Sequence, residues 1–508
     1  MMEYKSILFP TEEKREVIDY QEVLKDINAD QIISSITGGY EEYKLDEFFL
    51  MPLSNVADAE YRHDVMRDLE KPEITQGFIM FSEKMKQSRR TFSRITSVDY
   101  DKQNERSFLE SARLYCEAVD DLSRLFIYNE VQSSGLSDFI RFLLTYWKSQ
   151  DFKNLSAQVG TLLEDLKLVH YTLLIDGSHV TVQKFCDEAN FSEEIRRFFE
   201  KFRQQDKKKF TYKTNIGDMN HIDERIFSCV SKLYPEIFKK LQVFYRDNQG
   251  FYHNGILQFE QEIQFYLAYR KYMNRFLDSE LSFCFPTLST NDKQVFCEDS
   301  FDMALASKLF SEGKKVVTNG FSLSGKERII IVTGPNQGGK TTFARMYGQL
   351  HYFASLGLPV AGKIAKLFLP DRIYTHFENK EKQVTLNGKL QDDIIRIHDI
   401  LNRATSNSII VINELFSSTT LEDAVNVAEK IIDTITQRDI LCIYITFLEE
   451  LSTYNENTIS MVSTVSRYDR QTRTYKILRL PADGKAYALS VAQKYRLTYD
   501  DIRERVKS

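Results

Sequence analysis

Proline and tryptophan are scarce, at nine and one in 508 residues, and long apolar runs are missing. The longest are short, such as Ile329-Ile330-Ile331-Val332, against the roughly 18 apolar residues that a spanning helix needs. No membrane partner is expected. The N-terminus, Met1-Met2-Glu3-Tyr4-Lys5-Ser6, passes into Glu12-Glu13-Lys14-Arg15 without the apolar core of a secretory signal, so a cytoplasmic location is expected. Cys116, Cys186, Cys229, Cys284, Cys297 and Cys442 stand far apart with no C-x-x-C pair. This spacing argues against a zinc knuckle or a redox motif and suits a reducing compartment, with the thiols read as core residues. No two of the eight histidines have H-x-x-x-H spacing, and none is assigned to metal or catalysis. Excess positive charge is absent too: 67 Lys and Arg against 73 Asp and Glu leave a net charge of −6. Any contact with nucleic acid must then be local.

What is present is the composition of a folded chain, 42% hydrophobic and 28% charged, long enough for several domains. Up to about residue 284 the texture is helical. Phe108, Ala112, Tyr115, Val119, Leu122 and Phe126 alternate steps of four and three, a coiled-coil-like seam. Pro235 opens another helix as a first-turn residue, with Ile237, Phe238, Leu241, Phe244 and Tyr245 on its buried face. Ile256, Phe259, Ile263, Tyr266 and Met273 trace a long helix after it. Two β-like pieces, His179 to Val182 and Phe210 to Tyr212, interrupt the helices. From 285 onward β-branched runs alternate with amphipathic helices: Ile329 to Thr333, Ser408 to Ile412 and Ile440 to Thr446 read as buried parallel strands. Ser460 to Arg467 and Arg473 to Leu480 read as an antiparallel hairpin at the sheet edge, before a terminal helical region from about Tyr487. The predicted fold class is multidomain α and α/β, with a helical domain over 1–284 and a P-loop α/β domain over 285–508.

Thr333-Gly334-Pro335-Asn336-Gln337-Gly338-Gly339-Lys340-Thr341-Thr342 contains a complete G-x-x-x-x-G-K-[ST] pattern between a strand and a helix. Glycines there let successive N–H groups and the helix N-terminus point at phosphate oxygens. Lys340 would reach the β- and γ-phosphates of ATP, and the Thr341 hydroxyl would be a magnesium ligand. Ser408 to Glu414 supplies an apolar strand ending in Asn413-Glu414, where Asp-Glu is usual. Glu414 is the candidate general base for an attacking water. Asn413 keeps an oxygen for a magnesium-bound water without the charge, so weaker magnesium affinity and slow turnover are expected. Ser417 to Thr420, four hydroxyl residues before a helix, are an N-cap with a polar turn or a phosphate-contacting loop.

These residues resemble the MutS family of DNA mismatch-repair ATPases, whose loop reads T-G-P-N-x-G-G-K-[ST]-[TS]. Val317-Thr318-Asn319-Gly320-Phe321 is similar to the family's short stretch beside the adenine, which implies Asn319 as a nucleotide-binding residue. Asn413 to Thr420 stands where the family has D-E-x-G-R-G-T-S-T, and Lys485 to Ala492 resembles K-S-Y-G-x-x-V-A. Pro52-Leu53 with Arg62 to Leu69 is similar to the start of the family's core and lever domain. The resemblance implies a helical core and lever over 1–284, with a small clamp near 175–215, joined to an ABC-type ATPase over 285–508. No L-S-G-G-[QE] signature of transport-type ABC ATPases is present. No mismatch-recognition domain is recognised. It also implies a homodimer through the ATPase domain, with Ser418, Thr419 and Thr420 of one subunit reaching the nucleotide of the other. Three departures bear on turnover: Asn413 for Asp, Phe416-Ser417-Ser418 for Gly-Arg-Gly, and Phe447 for the histidine of T-H-Y.

DNA is the implied partner. Lys84, Lys86, Arg89, Arg90 and Arg94 form one basic segment, and Arg203, Lys207, Lys208, Lys209 and Lys213 another. Either is also read as a solvated helix face or turn. The expected function is an ATP-dependent dimeric clamp on DNA in repair or recombination. The alternative is a nucleotide-binding scaffold with negligible ATPase activity that acts on a protein partner.

Overall fold

The structure is a computed structural model that describes residues 3–10, 20–95, 101–176, 179–186, 221–277, 279–378, 386–416, 419–466, 472–482 and 502–503. The first described elements are α1 Gln21–Asp26, α2 Ala29–Thr37, α3 Leu45–Phe49, α4 Val56–Asp68, α5 Pro72–Ser93, α6 Asp101–Tyr128, α7 Ser134–Trp147 and α8 Gln150–Lys167. A hairpin of β1 Tyr171–Asp176 and β2 His179–Lys184 follows, then α9 His221–Leu233, α10 Pro235–Asp247 and α11 Asn254–Asn274. After them come β3 Phe283–Cys284, β4 Thr287–Ser289, β5 Val295–Ser300, α12 Met303–Ser311, β6 Asn319–Leu323, β7 Ile329–Thr333 and α13 Lys340–Ser355. The last are β8 Val360–Ala361, β9 Ile364–Phe368, β10 Ile373–Phe377, α14 Leu386–Arg403, β11 Ile409–Asn413, α15 Leu421–Gln437, β12 Leu441–Ile445, β13 Thr458–Val465 and β14 Arg473–Leu478.

The chain packs as two compact units, one of Met1–Tyr4, Pro72–Glu130 and Asp138–Glu260, the other of Lys5–Lys71, Val131–Ser137 and Gln261–Ser508. In the first, the α6 seam does what its spacing dictates. Phe108, Ala112, Tyr115, Val119, Leu122 and Phe126 are all buried, with Phe108 edge-on to Phe244, Tyr245 and Phe251. Pro235 occupies the first turn of α10, where its missing N–H costs nothing. Part of the basic face of α5 is spent within the unit: Lys84 pairs with Glu117 and Asp121, and Arg89 with the buried Glu260. The strand β1 was not legible as such in the sequence. Phe210 to Tyr212, the Arg203 to Lys213 segment and Tyr487 onward to 501 lie outside the described residues.

The second unit is built on a six-stranded sheet in the order β10-β11-β12-β7-β13-β14, parallel except for β14, which runs antiparallel to β13. Every residue of β7, β10, β11 and β12 is buried, as continuous apolar runs with crossover helices require. On one face Ile410, Ile412, Cys442 and Tyr444 pack with Ile397 and Ile400 of α14 and Ala428, Ile432 and Ile435 of α15. Helix α13 packs against β11 and β12. A second sheet, in the order β4-β9-β5-β6, is antiparallel apart from its β4–β9 pair. Residues 20–37 also belong to this unit. Asp26, the last residue of α1, and Ile27 after it accept hydrogen bonds on their carbonyls from Arg345 Nε (3.0 Å) and Gln349 Nε2 (2.8 Å) of α13. Ile27 rests against Gly348 on the same helix face. His351, one turn on, is fully buried, and burial pushes its imidazole down to about 4, so it is neutral at pH 7.

All six cysteines are free thiols. Cys116, Cys297 and Cys442 are buried as expected, but Cys186 and Cys229 are exposed and Cys284 is half-buried. Cys186 follows β2, Cys229 lies on α9 and Cys284 is in the two-residue β3.

Candidate functional site

Strand β7 ends at Thr333 and the chain turns through 334–339 into α13. Three residues of the turn are left-handed: Gly334 at φ 118°, Gln337 at φ 58° and Gly339 at φ 95°. Two glycines are required by space as well. A β-carbon on Gly334 would stand 2.9 Å from the Ser463 carbonyl oxygen, and one on Gly338 would collide with Ser463 Oγ. Ser463 of β13 is thus the floor of the turn. Its hydroxyl, fully buried, donates to the Gly338 carbonyl at 2.6 Å.

Lys340 opens α13 with a side chain only 4% exposed. Its ammonium donates to the carbonyls of Gly334 (2.9 Å) and Pro335 (3.2 Å) and lies 4.4 Å from the centre of the Phe447 ring. Burial pulls this ammonium below the usual lysine range, Glu414 opposes the shift and Arg473 adds to it. The Thr341 hydroxyl donates to Asn413 Oδ1 at 3.1 Å, which joins the first turn of α13 to the end of β11. Glu414 follows in a left-handed conformation, φ 58°, with its N–H on the Ile445 carbonyl at 3.0 Å. Asn336, Gln337, Gly338, Gly339, Lys340, Thr341, Thr342 and Glu414 line one recess of about 260 Å³, whose rim is completed by Leu305 and Tyr475.

The remaining candidates are placed elsewhere. Asn319 is turned to β14: its Nδ2 donates to the Tyr475 carbonyl at 3.1 Å and its Oδ1 accepts from the Ile477 N–H at 2.8 Å. Thr420 is the N-cap of α15, accepting from Asp423 N–H at 3.2 Å and donating to the Asp423 carboxylate at 2.7 Å. Of the two readings of the hydroxyl run, capping is the one its side chain serves. Thr419 is half-buried beside it, and Ser417 and Ser418 lie outside the described residues. Phe416, standing where the resembled pattern has glycine, has a left-handed φ of 62° and a buried ring in the apolar cluster under α15. Among the described residues no group of three or more His, Cys, Asp or Glu could hold a metal, and no helix is long and apolar enough to cross a membrane.

Ser463 and Tyr475 were not singled out in the sequence. Ser463 is one of four hydroxyl residues in β13, so nothing in the sequence sets it apart, and Tyr475 is an aromatic on the far strand of a hairpin.

A parallel sheet whose loops at the carboxyl ends gather a buried lysine, a threonine–asparagine pair and a glutamate defines an α/β protein with its site at the strand ends. Residues 330–504 match the family model MutS domain V. The chain is 30% identical over 183 residues to the endonuclease MutS2 of Thermus thermophilus, 36% of this chain and 24% of that protein. It is 25% identical over 294 residues to the endonuclease MutS2 of Lactococcus lactis subsp. cremoris, 57% of this chain and 35% of the relative. To the DNA mismatch repair protein MutS of Prochlorococcus marinus it is 28% identical over 186 residues, 35% of this chain and 20% of the relative. These matches span no more than about a third of the relatives' own length. Through residues 330–504 the chain carries a MutS-family domain.

Proposed function

We propose that the chain binds ATP with magnesium at the 334–342 turn, hydrolyses it slowly, and uses it to close a dimeric clamp on DNA. The observation that carries the reading is the union of three features in one recess: a turn pinned by Ser463, a buried Lys340 at the N-terminus of α13, and Thr341 hydrogen-bonded to Asn413. The residues fit the ligand. Backbone N–H groups of 336–342 and the positive end of a 16-residue helix would hold the phosphates, Lys340 would pair with them, and Thr341 and Asn413 would hold magnesium, in part through water. Magnesium there would neutralise phosphate charge. Glu414, at the same strand end, would orient a water and take its proton. Ser418 and Thr419 as nucleotide contacts, the dimer, and DNA as partner rest on likeness to MutS proteins, whereas the Asn319 side chain is spent on β14. With Lys84 and Arg89 paired within their unit, Arg203 to Lys213 is the segment proposed to meet phosphates.

Asn413 sets the magnesium requirement in this reading. Asn413→Asp places a charge beside Thr341 and is expected to lower the magnesium concentration for half-maximal nucleotide binding about tenfold. A magnesium titration followed by calorimetry checks this, and an unchanged or higher requirement would remove Asn413 from the metal site.

The reading as a whole is tested by ATP turnover with and without duplex, mismatched and branched DNA, and by DNA binding across a salt series. Turnover that rises with DNA, and an affinity that falls linearly on log–log axes of salt, are expected. Asn413 and Phe447 favour one rival, a nucleotide-binding scaffold. ATP binding without hydrolysis and without any response to DNA would put that rival in its place.

A further inference from the structure

Strand β12 lies between β11 and β7 and runs parallel to both, so the residues just past its end stand between Glu414, which follows β11, and the 334–339 turn, which follows β7. Thr446 fixes the chain there. Its N–H bonds to the Val332 carbonyl at 3.1 Å, and its buried hydroxyl accepts the Leu448 N–H at 3.0 Å. Leu448 in turn is buried in the apolar cluster under α15. Phe447, held between these two buried neighbours, is itself 50% exposed, its ring turned out of the core.

Over that ring lies the Lys340 ammonium, 4.4 Å from its centre. An ammonium has three N–H groups. Two go to the carbonyls of Gly334 and Pro335, and the ring supplies π electrons to the remaining side of the cation. The three partners are not alike. The two carbonyls belong to the same turn as the N–H groups that would face phosphate, whereas the ring is anchored on another strand. A phenyl face also presents negative charge and no donor, so a phosphate oxygen and the ring compete for the same N–H and cannot share it.

We propose that Phe447 is a positioning residue for Lys340: its ring holds one side of the ammonium, and a bound polyphosphate takes the lysine only by displacing the ring. The proposal rests on phosphate binding at the 334–342 turn as read above. Calorimetric affinities of the whole chain for ATP and for inorganic tripolyphosphate test it. Phe447→Leu keeps an apolar side chain without a π face, and is expected to bind both compounds about threefold to tenfold more tightly. Phe447→Tyr keeps the face and is expected to match the wild type. The sign is what discriminates, because a substitution that merely damaged the site would lower affinity. A second readout is the labelling of Lys340 by acetic anhydride, followed by peptide mass. Without the ring the ammonium gives up its proton more readily, so Phe447→Leu is expected to react about threefold to tenfold faster at Lys340. An unchanged or lower affinity in Phe447→Leu overturns the proposal while phosphate binding stands. So does a gain in affinity with no change in labelling, which would mean that the ring only crowds the recess. A wild type that binds neither compound overturns both readings.

Discussion

Glu414→Gln is expected to lower ATP turnover by about 10²–10⁴-fold and to leave ATP affinity within about twofold of the wild type. Glutamine keeps the shape and the hydrogen-bonding oxygen and loses only the ability to take a proton. The affinity is expected to hold because the phosphate-facing groups, the 336–342 backbone and Lys340, do not depend on Glu414 for their places. Lys340 is fixed by the carbonyls of Gly334 and Pro335, and the turn by Ser463. Glu414 itself is fixed by the backbone: its left-handed φ of 58° and its N–H on Ile445 set the side chain at the strand end rather than back along β11. Single-turnover kinetics beside a binding isotherm separate the two quantities. If turnover survives the substitution, another group takes the proton. If affinity falls as steeply as turnover, the carboxylate holds the ligand instead of activating water.

A second large effect is expected far from the recess, at Arg62. This guanidinium is 0% exposed; its Nε donates to the Leu8 carbonyl at 3.0 Å and its Nη1 to the Leu356 carbonyl at 2.7 Å. It also lies 5.1 Å from the Phe9 ring centre and 5.4 Å from that of Phe265. Carbonyl dipoles and two aromatic faces here replace the water that a buried charge has lost. Arg62→Ala leaves two buried carbonyls unpaired and opens a cavity between rings, and is expected to cost about 3–5 kcal/mol. Arg62→Met fills the space without the hydrogen bonds and should lose about half as much. Urea midpoints of the two variants, monitored on the second unit's unfolding transition, check the order. A loss under about 1 kcal/mol for Arg62→Ala would mean that water replaces the side chain at both carbonyls.

Such an arginine could not be read as buried from the sequence, where charged residues on a helical pattern count as surface. The sheet was legible for the opposite reason. Ile329 to Thr333, Ser408 to Ile412 and Ile440 to Thr446 are apolar without alternation, and only a strand covered on both faces asks for that; they are β7, β11 and β12 to within a residue or two. The turn at 334–339 was legible because a glycine-lysine-threonine spacing is local. Ser463 and Tyr475 were not, because a hairpin of more than a hundred residues' separation brings them to the turn. Asn319 was read toward the adenine from a resemblance, and its side chain instead faces β14, where a slipped ladder leaves peptides to be satisfied. Thr420 could cap or contact phosphate by spacing alone, and its bonds to Asp423 are those of a cap.

The hold of residues 26–27 on α13 has a mechanical consequence. Arg345, Gly348 and Gln349 lie on one stripe of the helix, and gripping a rod along one stripe at neighbouring turns removes its freedom to roll about its axis. What motion is left is translation and tilt, in which the whole rod moves with the strap that grips it. Thr341 stands at one end of that rod and Leu356, bonded to Arg62, caps the other. A shift of the helix axis at Thr341 is therefore carried to Ile27, as a push on a spindle is carried to its bearing.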